Sequence, residues 1–114
     1  MKALFILNDP PYGTERSFNG LRLAKALQGK GAEVTVFLMA DAVACAKAGQ
    51  KVPQGYYHLE LMVKSVARKG EVLLCGTCMD ARGLTDADIV EGARRSTMDE
   101  LAERTLAAER VLVF

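Results

Sequence analysis

The chain has 114 residues, half of them hydrophobic, with 15 Lys and Arg against 14 Asp and Glu and a formal net charge of +1. That length is one domain, residues 1–114, and the apolar share supports a real core, which excludes a disordered chain. The even charge balance leaves no basic surplus for phosphate-backbone binding, and no apolar run approaches the roughly 20 residues of a membrane span, so neither direct nucleic-acid binding nor membrane insertion is expected.

In chain order, Lys2 to Leu7 is a continuous apolar run that stops at Asn8-Asp9-Pro10-Pro11. An uninterrupted run of this kind suits a strand buried on both faces, as in a parallel sheet, and the prolines end it. It is too short for the apolar region of a signal peptide and lacks a small-residue cleavage site, so a cytoplasmic location is the expectation. Phe18, Leu21, Ala24 and Leu27, with Leu23 widening the stripe, predict a helix that Gly29 and Gly31 terminate. Glu33 to Met39 reads as a second strand, which completes a strand-helix-strand unit with the usual right-handed crossover. Ala40 to Ala48 is rich in small residues and predicts a short helix ending at Gly49, and Gln50 to Gly55 a loop. Leu59, Met62, Val63, Val66 and Ala67 follow helical spacing cleanly up to Gly70. Glu71 to Cys75 is a third strand. Thr85 to Glu91 predicts a short helix with Thr85 and Asp88 as a capping box, and Ala93 to Arg95 a short strand. Met98, Leu101, Ala102, Thr105 and Leu106 give a last helical stripe entered through Ser96 or Thr97, and Arg110 to Phe114 a closing strand. The charged stretch Glu100 to Arg104 reads as the solvated face of that helix.

Strands alternating with helices predict an α/β fold, a mostly parallel sheet with helices on both faces. Sites in such sheets form at the carboxyl ends of strands. Two segments sit there, Asn8 to Thr14 after the first strand and Cys75 to Gly83 after the third.

Three cysteines, an odd number, argue against a disulfide-stapled fold. Cys75 ends an apolar strand and is followed by Gly76, where backbone N–H groups can favour a thiolate, with Arg82 as the candidate positive charge. The competing reading is a small buried hydrophobe. Cys78 makes Cys75-x-x-Cys78, which fits a dithiol pair or half of a zinc site. Zinc needs four close ligands, and Cys45 with the single His58 is a poor second half. A dithiol motif of the thioredoxin kind opens a helix, which Gly76-Thr77 and Met79 to Gly83 do not suggest. Cys45 reads as core and His58 as a helix-start or surface residue. Asn8 to Gly13 resembles a phosphate loop only in position, since it lacks the glycine pattern; its plainer reading is a rigid Pro-Pro turn.

Several segments together resemble the DsrE/DsrF-like family. They are Leu7-Asn8-Asp9-Pro10-Pro11-Tyr12-Gly13-Thr14 leading into Leu21 to Leu27, the segment Leu74-Cys75-Gly76-Thr77-Cys78-Met79-Asp80-Ala81-Arg82-Gly83-Leu84, and the ending Leu101 to Leu106 and Arg110 to Phe114. The cysteine segment is similar to the family's two-cysteine, YchN-type version. The resemblance implies a three-layer α/β/α domain with a five-stranded parallel sheet and assembly as a homo-oligomer, a trimer or hexamer. It also implies a sulfur relay in which Cys75 carries a persulfide between a protein donor and a protein acceptor, with Cys78 and Arg82 beside it and no metal or cofactor. Cys78 adds a variation, attack on the inner sulfur to close a disulfide and release sulfide. The alternative is an oligomeric module that binds a small molecule or nucleotide at Asn8 to Thr14, with Cys75 structural.

Overall fold

In the computed structural model, which describes Met1–Phe114, the strands are β1 (Lys2–Leu7), β2 (Glu33–Leu38), β3 (Glu71–Cys75), β4 (Ala93–Ser96) and β5 (Arg110–Val113). They form one sheet in the order β4-β3-β2-β1-β5, and every neighbouring pair is parallel. The helices are α1 (Arg16–Gly29), α2 (Leu59–Ala67), α3 (Gly76–Ala81) and α4 (Met98–Ala107), with 3-10 turns at Ala40–Ala46 and Asp86–Asp88. Both are short 3-10 helices where short helices are expected. In the second, the Thr85 N–H donates to the Asp88 carboxylate at 2.8 Å, one half of the expected capping box.

Side chains alternate across a strand, and the three inner strands use both directions. Ala3, Phe5, Leu7, Val34, Val36, Leu38, Val72 and Leu74 face one way and pack under Leu21 and Ala24 of α1 and Leu59, Val63 and Val66 of α2. Leu4, Phe37, Leu73 and Cys75 face the other way and meet Leu101 of α4. The result is three layers, with the larger core under α1 and α2. The sheet packs tightly at the entry to β3: a Cβ on Gly70 would lie 2.3 Å from the Val34 carbonyl oxygen.

Helix α4 departs from its apolar stripe. Only Leu101 is buried, while Met98 is 58% and Leu106 89% exposed. The face turned to the sheet runs through Leu101, Arg104 and Ala108, because Arg104 reaches across to Glu71 with Nε–Oε1 at 2.7 Å and Nη2–Oε2 at 2.9 Å. Glu100 in turn accepts two bonds from Arg94, at 2.8 and 2.7 Å, and one from Ser96. The Glu100 to Arg104 stretch is therefore a clamp between α4 and the sheet, and its role as a merely solvated face is corrected. Thr97, rather than Ser96, caps the helix by accepting the Glu100 N–H at 3.2 Å.

Candidate functional site

Strand β3 ends in Cys75, and α3 starts at the next residue. A short helix does follow Cys75, against the expectation from Gly76-Thr77. The reason lies in the cysteine itself: Cys75 takes the N-cap position, and its sulfur accepts the Cys78 N–H at 3.4 Å. A side-chain oxygen usually fills that role; here sulfur does.

Cys75 is 8% exposed, its body against Leu4, Phe37, Leu73 and Leu101. Cys78 is half-buried. The Cys78 sulfur accepts the Ala40 N–H at 3.1 Å. Burial and the neighbouring Cys75 push the Cys78 thiol above its ordinary range, while the Ala40 N–H and the charge of Arg82 pull it down by less. At neutral pH Cys78 therefore keeps its proton, and its N–H is the donor on the Cys75 sulfur.

Ala40 follows β2 and has a φ of 51°, the single non-glycine residue in the left-handed region. That conformation costs an L-residue energy, and it turns the Ala40 N–H toward the cysteine pair.

Two guanidinium groups flank the pair. Arg82 donates Nη1 to the Cys78 carbonyl at 3.1 Å and Nε to Asp41 at 3.0 Å. It therefore ties α3 to the turn after β2 and acts on Cys78 first, where the sequence reading aimed it at Cys75. Arg95 had no expected role beyond its strand. It bonds Asp80 at 2.7 Å, its charge acts on Cys75, and it lies over Gly76, where an added Cβ would sit 2.8 Å from its Nε. The register explains this: Leu74 pairs with Arg95 and Cys75 with Ser96. The signal was present as the Arg94-Arg95 doublet within β4, since successive strands in such folds usually lie side by side.

The other candidates stand apart. Cys45 is fully buried, with its thiol pushed up to about 12 by burial, and is core as expected. His58 caps α2, its Nδ1 accepting the Leu61 N–H at 3.4 Å while Nε2 meets the Gln50 carbonyl at 3.1 Å. No three His, Cys, Asp or Glu side chains converge closely enough to hold a metal ion. The Asn8 to Thr14 loop bonds mainly to the chain itself. Asn8 donates N–H and Nδ2 to the Phe114 carbonyl at 2.9 and 3.2 Å, and Asp9 accepts the Thr14 hydroxyl at 2.7 Å. Tyr12 donates to Gln50 and accepts the Leu59 N–H at 3.1 Å. The plainer reading, a rigid turn, describes it. Surface cavities of about 420 and 460 Å³ lie elsewhere, the first at the amino end of the sheet around Glu33, Lys69, Glu71 and Arg104, the second beside Lys64, Arg68 and Ile89. No helix is long and apolar enough to cross a membrane.

Comparison with known proteins gives a consistent result. The DsrE/DsrF-like family pattern matches residues 1–114. Protein YchN of Escherichia coli (strain K12) is 40% identical over 115 aligned residues, covering 99% of this chain and 98% of that protein. The uncharacterized protein MJ0989 of Methanocaldococcus jannaschii is 35% identical over 114 residues, covering 100% of each. The crystal structure of the E. coli ychN protein superposes with a TM-score of 0.93 at 39% identity, covering 100% of this chain and 99% of that one. MTH1491 of Methanobacterium thermoautotrophicum, a protein of unknown function, superposes with a TM-score of 0.80 at 12% identity over 99% of this chain and 98% of its own, a likeness of fold.

Proposed function

The chain belongs to the DsrE/DsrF-like family, and on that premise we propose that it is an intracellular sulfur-relay protein that carries sulfur as a persulfide on Cys75. One observation carries the reading: the Cys75 sulfur stands at the carboxyl end of β3, accepts the Cys78 N–H at 3.4 Å and lies within the field of Arg95. The thiolate is the form of a cysteine that reacts.

In the forward step the Cys75 thiolate attacks the terminal sulfur of a donor persulfide. The bond between the donor's two sulfurs breaks, its electron pair leaves with the donor thiolate, and Cys75 holds the sulfane sulfur. An acceptor thiolate then attacks that outer sulfur, and Cys75 leaves as thiolate. The sulfane sulfur changes hands without net oxidation. The burial of Cys75 means that donor and acceptor must reach it with an extended cysteine segment or a small persulfide. Both are taken to be proteins.

The working form is a homo-oligomer, a trimer or hexamer. Val111 and Val113 of β5 share a sheet face with Leu4 and Ile6 and are 44% and 65% exposed, beyond the cover of α4. An apolar strip on an edge strand invites burial.

The test is intact mass after exposure to glutathione persulfide. Wild type is expected to gain about 32 Da, one sulfur atom. Cys75→Ser is expected to gain nothing. Neither added sulfur nor released sulfide from wild type, or an equal gain in the mutant, overturns the proposal.

A further inference from the structure

We propose that Cys78 is a resolving thiol, which gives the site a second activity: release of the Cys75-bound sulfur as hydrosulfide. The inference rests on the reading that Cys75 accepts sulfane sulfur.

Three observations carry it. Cys75 belongs to the apolar cluster of Leu4, Phe37, Leu73 and Leu101, and Cys78 packs against that same cluster, so the two side chains share their apolar neighbours. The Cys78 N–H already reaches the Cys75 sulfur at 3.4 Å across the first turn of α3, which fixes the register of the pair. The Ala40 N–H meets the Cys78 sulfur at 3.1 Å from a strained left-handed backbone. A donor on the Cys78 sulfur has no part in carriage by Cys75. It does serve the moment when Cys78 gives up its proton and becomes a nucleophile. Strain retained at such a point is a pointer to function.

The step balances as follows. The Cys78 proton passes to the terminal sulfur of the Cys75 persulfide. The Cys78 thiolate attacks the inner, Cys75 sulfur. The Cys75–Cys78 sulfur bond forms, the bond to the terminal sulfur breaks, and its electron pair leaves with hydrosulfide. The terminal sulfur is reduced from sulfane to sulfide, and the two cysteine sulfurs are oxidised to a disulfide. The persulfide is the oxidant, so nothing else is consumed. Each further round needs an external dithiol to reopen the disulfide.

Groups acting on Cys78 come from three elements: Cys75 from β3, Arg82 from the end of α3 with Asp41 as its partner, and the Ala40 N–H from the turn after β2. Burial and the neighbouring Cys75 raise the Cys78 thiol, so it holds a proton to give to the departing sulfur.

The experiment loads wild type, Cys78→Ser and Cys78→Ala with glutathione persulfide, removes the excess, and follows intact mass and free sulfide without an acceptor. Serine keeps the N–H at this position and supplies a hydroxyl donor. Both variants are expected to reach the full gain of about 32 Da in time and to hold it. Wild type is expected to lose that gain, settle about 2 Da below its reduced mass, and release one equivalent of sulfide. Dithiothreitol then restores its mass and its capacity to be loaded. Equal sulfide release from wild type and both variants, or a stable load on wild type, overturns the inference and leaves carriage standing. Failure of wild type and both variants to take up or release any sulfur overturns carriage, and this inference with it.

Discussion

Around the Cys75 and Cys78 pair, Arg95 of β4 and Ala40 after β2 come from separate stretches of chain, and each makes a prediction. Arg95 lies over Gly76 with its charge on Cys75. Arg95→Gln is expected to slow alkylation of Cys75 by iodoacetamide at a fixed pH, because it removes the cation that lies over Gly76 beside the reacting sulfur. An unchanged rate would remove Arg95 from the site. Ala40 has a φ of 51°. Ala40→Gly is expected to leave stability within about 1 kcal/mol, since relief of the left-handed strain offsets the added chain entropy. Ala40→Val, branched at Cβ, is expected to cost about 1–2 kcal/mol or more in urea unfolding. Of these residues the sequence made Cys75 legible, because an apolar strand ending in Cys-Gly is a local pattern. Arg95 and Ala40 were not, because what makes them matter is the lateral pairing of β3 with β4 and a backbone angle, neither of which a linear pattern carries.

The elements were largely readable where burial is two-sided. β1, β2 and β3 lie where their apolar runs are, and α2 runs from Leu59 to Ala67 as its spacing implies. Reading failed where polar contacts override periodicity. In α4 the Arg104–Glu71 ion pair, not the Met98–Leu106 stripe, chooses the packed face. At α3 a sulfur caps the helix in place of an oxygen. The α4 clamp has a pH signature. Arg94, then Ser96, hold the Glu100 carboxyl down to about 2, and Arg104 lowers Glu71. A carboxyl with a folded value below its unfolded one stabilises the fold above the ordinary carboxylate range, and the contribution fades as pH falls toward the folded value. Thermal unfolding is therefore expected to move to lower temperature between pH of about 4.5 and 2, more steeply in wild type than in Glu100→Gln. Parallel slopes would show that the clamp contributes nothing.

At the scale of the whole molecule, a five-stranded sheet with two helices over one face and α4 alone over the other is lopsided. Alternating elements made the layers and the parallel sheet predictable, but not which face would be left thin, because that depends on how far α4 reaches. The strip on β5 is where copies are expected to meet. Val113→Asp is expected to shift sedimentation at micromolar concentration toward the monomer with an unchanged circular dichroism spectrum; an unaltered assembly would place the contact elsewhere. The polarity of the sheet has a practical consequence as well. Every strand runs the same way, so the thiols and the hollow around Lys69 occupy opposite rims, separated by a strand of five residues, about 17 Å. A dye or a surface tether attached through Lys69 would leave the sulfur-bearing rim clear, so immobilised protein could be interrogated by visiting polypeptides without the anchor in their way.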